Sequence, residues 1–379
     1  MIKFSFVIPA YNCKELAQST IEALKLLKIN DDFHFEVILV DDGSTDNTGA
    51  YFEEKCYPFD FKYIYLARCD ISSRSRARNY GIRAGSGDYI VFIDADIIVQ
   101  PDYLLELYRY YSRIPDAVVI GQRLLLDHVV SLETVRDENF FRKYKLENSS
   151  SNYTEFRHVV FQELSYNMSR LDFPFLFGQT CNIAYSRKDL LLAGGFDESM
   201  LAWGIEDIEL AYRIFKSGRR FLINPQMYVL HQFHGYQEKI SADQDKLEGI
   251  KINTELFFRK HPEALPLSRQ EAYIFFMNLA TRFYDAEKEI AGDYPVIIIQ
   301  LRNREDIEDI KSQIIKYSGK RHMKLIVYDY LENCGLDLWI QQLGKRNSTP
   351  FYYPMSIYQY SKTGEQEKLS ANECLLEVV

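Results

Sequence analysis

Three short apolar runs that each break off into polar residues constrain this chain more than any other feature. FSFVIP (4–9) leads to Tyr11 and Asn12, EVILV (36–40) to Asp41-Asp42-Gly43-Ser44, and YIVFI (89–93) to Asp94-Ala95-Asp96. Runs of this length, rich in β-branched and aromatic residues, read as parallel strands buried on both faces. The stretches between them read as helices. Over 14–27, apolar Leu16, Ile21, Leu24 and Leu27 fall roughly at helical spacing. Ser44, Thr45 and Asp46 mark the start of a helix reaching Cys56. A further strand at 63–66 and a helix at 74–84 complete the rhythm. Strand and helix in alternation predict an α/β fold with a mostly parallel sheet and right-handed crossovers. Ligands of such sheets bind beyond the carboxyl ends of the strands, so the polar tips should face one crevice.

The rest of the chain is less regular. Residues 101–170 read as mostly helical and irregular, with a loop at 148–153. Helices are expected at 248–260 and 269–286. PVIIIQ (295–300) and KLIVY (324–328) read as strands flanking a helix near 306–317. This βαβ-like unit predicts a main domain over 1–240 and a smaller C-terminal α/β or helical extension over 241–379.

Net charge is −9, with lysine and arginine scattered rather than blocked, which speaks against nucleic acid or an anionic membrane as partner. An acidic chain can still hold a diphosphate when a divalent cation supplies the positive charge. The six cysteines have no paired spacing and suit reduced thiols in a cytoplasmic protein, with Cys13 a small filler residue. No run of 18 apolar residues occurs, so no transmembrane helix is expected. Peripheral contact at the inner face of a membrane stays open.

The polar tips carry chemistry. Asp94 and Asp96, at i and i+2 after a buried strand, can share a hard cation whose other ligands are phosphate oxygens and water. Acidic pairs at strand ends are also ordinary turn formers. Asp41 and Asp42 read either as a turn with a helix cap or as carboxylates accepting a hydrogen bond from a pyrimidine ring N–H, with backbone near Pro9 and Tyr11 lining the base. Of Arg74, Arg76 and Arg78 in SSRSRARNYG, Arg78 is the one expected at a diphosphate. Gly194-Gly195 permits close backbone approach to a ligand. Glu206 and Asp207 open a helix after Trp203-Gly204-Ile205; the dipole favours them there, and one can serve as a general base. His231, at a strand end, can complete a metal shell, with His234 the fallback.

Taken together, FSFVIPAYN, VILVDDGSTDNT, SRARNYGIRAGSGDYIVFIDAD and GGFDESMLAWGIEDIELAYRI resemble the second family of glycosyltransferases over about residues 3–240. The resemblance implies a GT-A, nucleotide-diphospho-sugar-binding fold. It implies base contacts at Pro9, Tyr11 and Asp42 with Asp41 as neighbour, Arg78 near the uracil and diphosphate, and Asp94 and Asp96 as the metal motif. The block from Gly194 to Asp207, with Gly195 and Trp203 on the donor side, is similar to galactosyl-, N-acetylgalactosaminyl- and chondroitin-polymerising transferases. In inverting relatives the position of Asp207 is the proposed base, whereas retaining mucin-type enzymes carry Asn there. Asp207 therefore implies inversion, with Glu206 contacting donor or acceptor and His231 as third metal ligand.

The expected protein is an inverting, Mn²⁺- or Mg²⁺-dependent transferase taking a UDP-sugar of the Gal, GalNAc, Glc or GlcNAc type to a glycan or a protein or peptide acceptor. The extension would serve acceptor binding or oligomerisation. Two other readings compete. A sugar nucleotidyltransferase would need a glycine-rich basic loop where PAYNCKE stands. A non-catalytic glycan- or partner-binding protein would have no need of so many converging polar groups.

Overall fold

The computed structural model describes residues 1–126, 128–137, 140–141, 157, 161, 164, 166–232, 244–265, 295–318, 324–329, 331, 336, 339, 355–359 and 374–378. The chain divides into two compact units: Met1–Glu155 with Phe175–Leu279, and Phe156–Pro174 with Ala280–Val379. The first unit holds every residue of the candidate site.

Its eight-stranded sheet has the order β3-β2-β1-β4-β7-β6-β8-β5. The parallel half follows the expectation. β1 (Ile2–Ala10) lies between β2 (Phe33–Asp41) and β4 (Tyr89–Phe92), and β2 carries β3 (Asp60–Tyr65) on its other side. Phe4, Phe6, Val7 and Ile8 are fully buried, as a strand covered on both faces requires. The helices of this half are α1 (Lys14–Leu24), α2 (Thr48–Glu53) and α3 (Arg74–Ala84).

The other half adds antiparallel pairings to the mostly parallel sheet that was expected. β5 (Ile97–Val99) follows the Asp94-Ala95-Asp96 tip, then come α4 (Tyr103–Tyr111), β6 (Ala117–Leu125) and α5 (Leu132–Val135). β7 (Ile183–Ser186) runs antiparallel to both β4 and β6. After α6 (Arg187–Leu192) and α7 (Glu206–Lys216), β8 (Arg220–His231) lies parallel to β6 and antiparallel to β5. Residues 101–170 thus contain a nine-residue strand, β6, inside the sheet, where only helix and irregular structure were expected.

Two helix boundaries also differ. α1 ends at Leu24, with Lys25 its cap. α2 starts at Thr48, later than Ser44, because the capping-type residues tie two strand tips together. Ser44 Oγ accepts from the Asn12 amide (2.8 Å), the Thr45 amide donates to Asn12 Oδ1 (2.8 Å), and Asp46 accepts from the Lys14 (2.9 Å) and Thr48 (3.1 Å) amides.

α8 (Gln244–Lys260) closes the described part of this unit. Its Asn253 side-chain amide donates to the carbonyls of Ala202 (2.9 Å) and Gly204 (2.6 Å), bracing the loop that carries Trp203. The second unit contains a four-stranded parallel sheet, β11-β10-β9-β12, with β9 (Pro295–Leu301), β10 (Lys324–Asp329), β11 (Met355–Gln359) and β12 (Cys374–Val378). Helix α9 (Ile307–Ser318) connects β9 to β10, as the βαβ pattern predicts. The expected loop at 148–153 and helix at 269–286 lie outside the described residues. No helix among the described residues is long and apolar enough to cross a membrane.

Candidate active site

The site grows from the carboxyl ends of β1, β2 and β4 and from the amino end of α7. At the first two tips, Pro9 faces Val40 across the parallel pairing and Tyr11 projects into solvent, 48% exposed. Asp42 is buried, yet its carboxylate is well served: Arg68 Nη1 donates to Oδ2 at 2.6 Å and Arg76 Nη1 to Oδ1 at 3.1 Å. Burial pushes the Asp42 carboxyl up, while Ser72 and the two arginines oppose it. Asp41 turns inward, 1% exposed, and accepts from the Tyr63 hydroxyl (2.5 Å) and the Ser44 amide (2.7 Å). Its carboxylate thus braces the turn at the tip of β2. Arg68 escapes sequence reasoning because it lies beyond β3 in a segment with no motif.

Arg78 lies between the tip of β4 and the start of α7. On the buried face of α3 and 3% exposed, it donates from Nη2 to Asp94 (3.1 Å) and from Nη1 to Glu206 (3.2 Å). Arg76, two residues earlier on the same helix, is the arginine that reaches Asp42, and Arg74 is exposed. Arg78 thus ties the tip of β4 to the start of α7. Its cationic form, opposed by burial, is upheld by the charges of Asp94, Glu206 and Asp207. Two buried polar atoms in this network have no hydrogen-bond partner: Arg78 Nε and Glu206 Oε2. Such atoms are costly unless a ligand or water completes them.

α7 begins under strain. Ile205, its N-terminal cap residue, has φ 73°, a left-handed conformation that a β-branched side chain rarely adopts. The kink puts Glu206 and Asp207 on the first turn, where unpaired amides favour carboxylates. Asp207 Oδ1 accepts from the Ile208 amide (2.8 Å) and Oδ2 from the Thr180 amide (3.4 Å). Its carboxyl is pushed up to about 7, first by burial and then by the Glu206 charge, with Arg78 and the two amides pulling down. A carboxylate poised near neutrality suits a general base.

Pairing of β5 with β8 brings Ile97 opposite His231 and so sets His231 beside Asp96. His231 Nε2 lies 3.4 Å from Asp96 Oδ2, both largely buried. One carboxylate oxygen and one imidazole nitrogen this close, with a second carboxylate two residues away, are donors that suit Mn²⁺ or Mg²⁺ when phosphate and water complete the shell. Among the described residues, no three His, Cys, Asp or Glu side chains enclose a metal position by themselves, since Asp94 is turned toward Arg78. His234 lies outside the described residues.

Gly195 lies in a turn packed against α3. It has φ +75°, and a Cβ there would stand 2.4 Å from Asn79 Oδ1. Asn79 uses the space to bind the Phe196 amide (2.7 Å) and carbonyl (2.9 Å), pinning the glycine turn to α3. Gly195→Ala is expected to destabilise the fold by about 2–4 kcal/mol through left-handed strain and overpacking, read from the midpoint of urea unfolding. Trp203 is partly exposed at the mouth of the same loop, with Lys246 Nζ of α8 at 5.8 Å from its ring.

A sheet whose tips gather acidic residues beside a helix-borne carboxylate pair has the architecture of GT-A glycosyltransferases. Residues 5–179 match the family described as Glycosyl transferase family 2, and residues 157–236 match one described as the N-terminal domain of galactosyltransferase. Nearly the first half of the chain thus carries a likeness to glycosyltransferase family 2. It is 28% identical over 270 residues to Validoxylamine A glucosyltransferase of Streptomyces hygroscopicus subsp. jinggangensis (strain 5008), covering 69% of this chain and 62% of that one. To Chondroitin synthase of Pasteurella multocida (strain Pm70) it is 27% identical over 277 residues, 69% of this chain and 28% of that one. The chain thus spans less than two thirds of the length of these relatives. The crystal structure of S. aureus TarS 1-349 shares the fold, with TM-score 0.50 at 14% identity over 75% of this chain and 72% of that one.

Proposed function

We propose that this chain is an inverting, metal-dependent transferase that moves a sugar of the Gal, GalNAc, Glc or GlcNAc type from a UDP-sugar to a hydroxyl of a glycan or of a protein or peptide. The observation that carries this reading is Asp207, held at the start of α7 with its carboxyl pushed up to about 7. In the reaction, Asp207 takes the proton of the acceptor hydroxyl. The acceptor oxygen bonds to the anomeric carbon as the bond from that carbon to the diphosphate oxygen breaks, in one in-line displacement. Glu206, with one buried oxygen unpartnered, meets a hydroxyl of donor or acceptor. Tyr11, Asp42 and backbone near Pro9 form the base pocket. Asp96 and His231, with Asp94, hold Mn²⁺ or Mg²⁺, which when bound supplies positive charge for the leaving diphosphate. Relatives named chondroitin synthase and hyaluronan synthase support a glycan acceptor. Residues 241–379 are assigned to acceptor binding or oligomerisation, and α8 at their start already braces the Trp203 loop.

Calorimetric titration with UDP-, GDP- and dTDP-sugars, with Mn²⁺ and then with EDTA, tests the reading. One UDP-sugar is expected to bind only when metal is present, and His231→Ala is expected to weaken that binding at least about tenfold. Binding of no nucleotide sugar would overturn the proposal, and equal binding in EDTA would remove the metal from it.

A further inference from the structure

Arg68 covers the two side chains read above as base contacts, Tyr11 and Asp42. Its guanidinium lies 4.1 Å over the Tyr11 ring, and the same group donates to Asp42 Oδ2 (2.6 Å) and to the Asp42 carbonyl (3.2 Å). A planar group that stacks on an aromatic ring while donating N–H to a carboxylate reproduces both contacts expected of a uracil ring. The backbone is shaped to admit it. Gly43, at φ +86°, leaves room that a Cβ would fill, 2.9 Å from both the Cβ and the amide nitrogen of Arg68. The hydrogen bond from the Leu66 amide to the Asp41 carbonyl (2.8 Å) carries the chain past β3 toward Asp42. Half of the Arg68 side chain is exposed, so it can swing into solvent without breaking the core. Arg76, the other cation on Asp42, is held on α3 and only 11% exposed.

We propose that Arg68 is a displaceable occupant of the base pocket, which the nucleotide must evict before its base can stack on Tyr11 and bond to Asp42. The proposal rests on the reading of Tyr11 and Asp42 as the base pocket. Eviction breaks an ion pair and a cation–π contact before any base contact forms. That cost is the same for every base, so it lowers the affinity of all nucleotides by one factor and leaves their ratios unchanged. Arg68 therefore sets how much donor is needed to fill the site, and selectivity stays with Asp42 and Tyr11.

The test is calorimetry of UDP and dTDP with Mn²⁺ on the full chain, comparing wild type with Arg68→Met and Arg76→Met. Arg68→Met is expected to bind both nucleotides about five- to tenfold more tightly, by the same factor within twofold. Arg76→Met also removes one charge from Asp42 but leaves Tyr11 covered, and it is expected to bind no more tightly than wild type. Unchanged or weaker binding by Arg68→Met overturns the proposal, as do unequal factors, which would mean that Arg68 touches the bound base. Binding of neither nucleotide by wild type or either variant would instead remove the base pocket itself. Thermal melts of the variants report whether each remains folded.

Discussion

Asp207→Asn is expected to lower transfer about a thousandfold while leaving UDP-sugar affinity within about twofold of wild type. Asparagine keeps the size of the side chain and an oxygen to accept from the Ile208 amide, giving up only the longer bond from the Thr180 amide, but it cannot take a proton. The pH dependence follows from the raised carboxyl. The base works when ionised, so the wild-type rate should rise with pH through about 7 and level off above it. Full activity in the variant, or a flat profile across pH 6–8, would sink Asp207 as the base. The same substitution should stabilise the fold. A carboxyl raised by burial contributes most to stability below its unfolded value, near 3.8, and loses that contribution as pH rises through about 7. The Asn protein should therefore unfold at higher urea than wild type at pH 8, by about 2 kcal/mol, and at nearly equal urea at pH 4. Poising the base thus costs stability, a common exchange at active sites.

The second large effect is expected at Arg78. Arg78→Met takes the shared cation from between Asp94 and Glu206 and leaves two carboxylates facing a buried void in charge. Breaking a buried pair by removing one partner costs about 3–5 kcal/mol, read from the shift in the urea midpoint at constant slope. Adding Glu206→Gln should recover part of that loss, since one unpaired charge is then removed. Arg78 also pulls the Asp207 carboxyl down. The midpoint of the rate profile should move to higher pH in Arg78→Met, a shift that a purely structural residue would not produce. Absence of both the destabilisation and the shift would mean that Arg78 does not join the two halves of the site.

Much of the fold was legible in the chain because burial on both faces writes a continuous apolar signal. FSFVIP, EVILV and YIVFI became β1, β2 and β4, and each motif at their ends falls at a strand tip. β6 and β7 were missed for the complementary reason. AVVIGQRLL mixes apolar residues with Gly121, Gln122 and Arg123, and β7 has only four residues, so neither stands out from its surroundings. β7 takes its place by antiparallel pairing with β4 and β6, and β6 chiefly by parallel pairing with β8.

The local sequence determined the residue types at the site: a carboxylate pair after β4, a second pair at the start of α7, and a histidine at the end of β8. Those follow from chemistry that adjacent residues can express, namely burial, turn formation and helix polarity. Tertiary structure alone decided their partners. Helical geometry on α3 sends Arg76 to Asp42 and Arg78 into the interior between Asp94 and Glu206. The β5–β8 register sets His231 beside Asp96, and the path beyond β3 lays Arg68 on Tyr11. Each of these meetings joins residues that are not neighbours in the chain, and only the packing of one element on another brings them into contact.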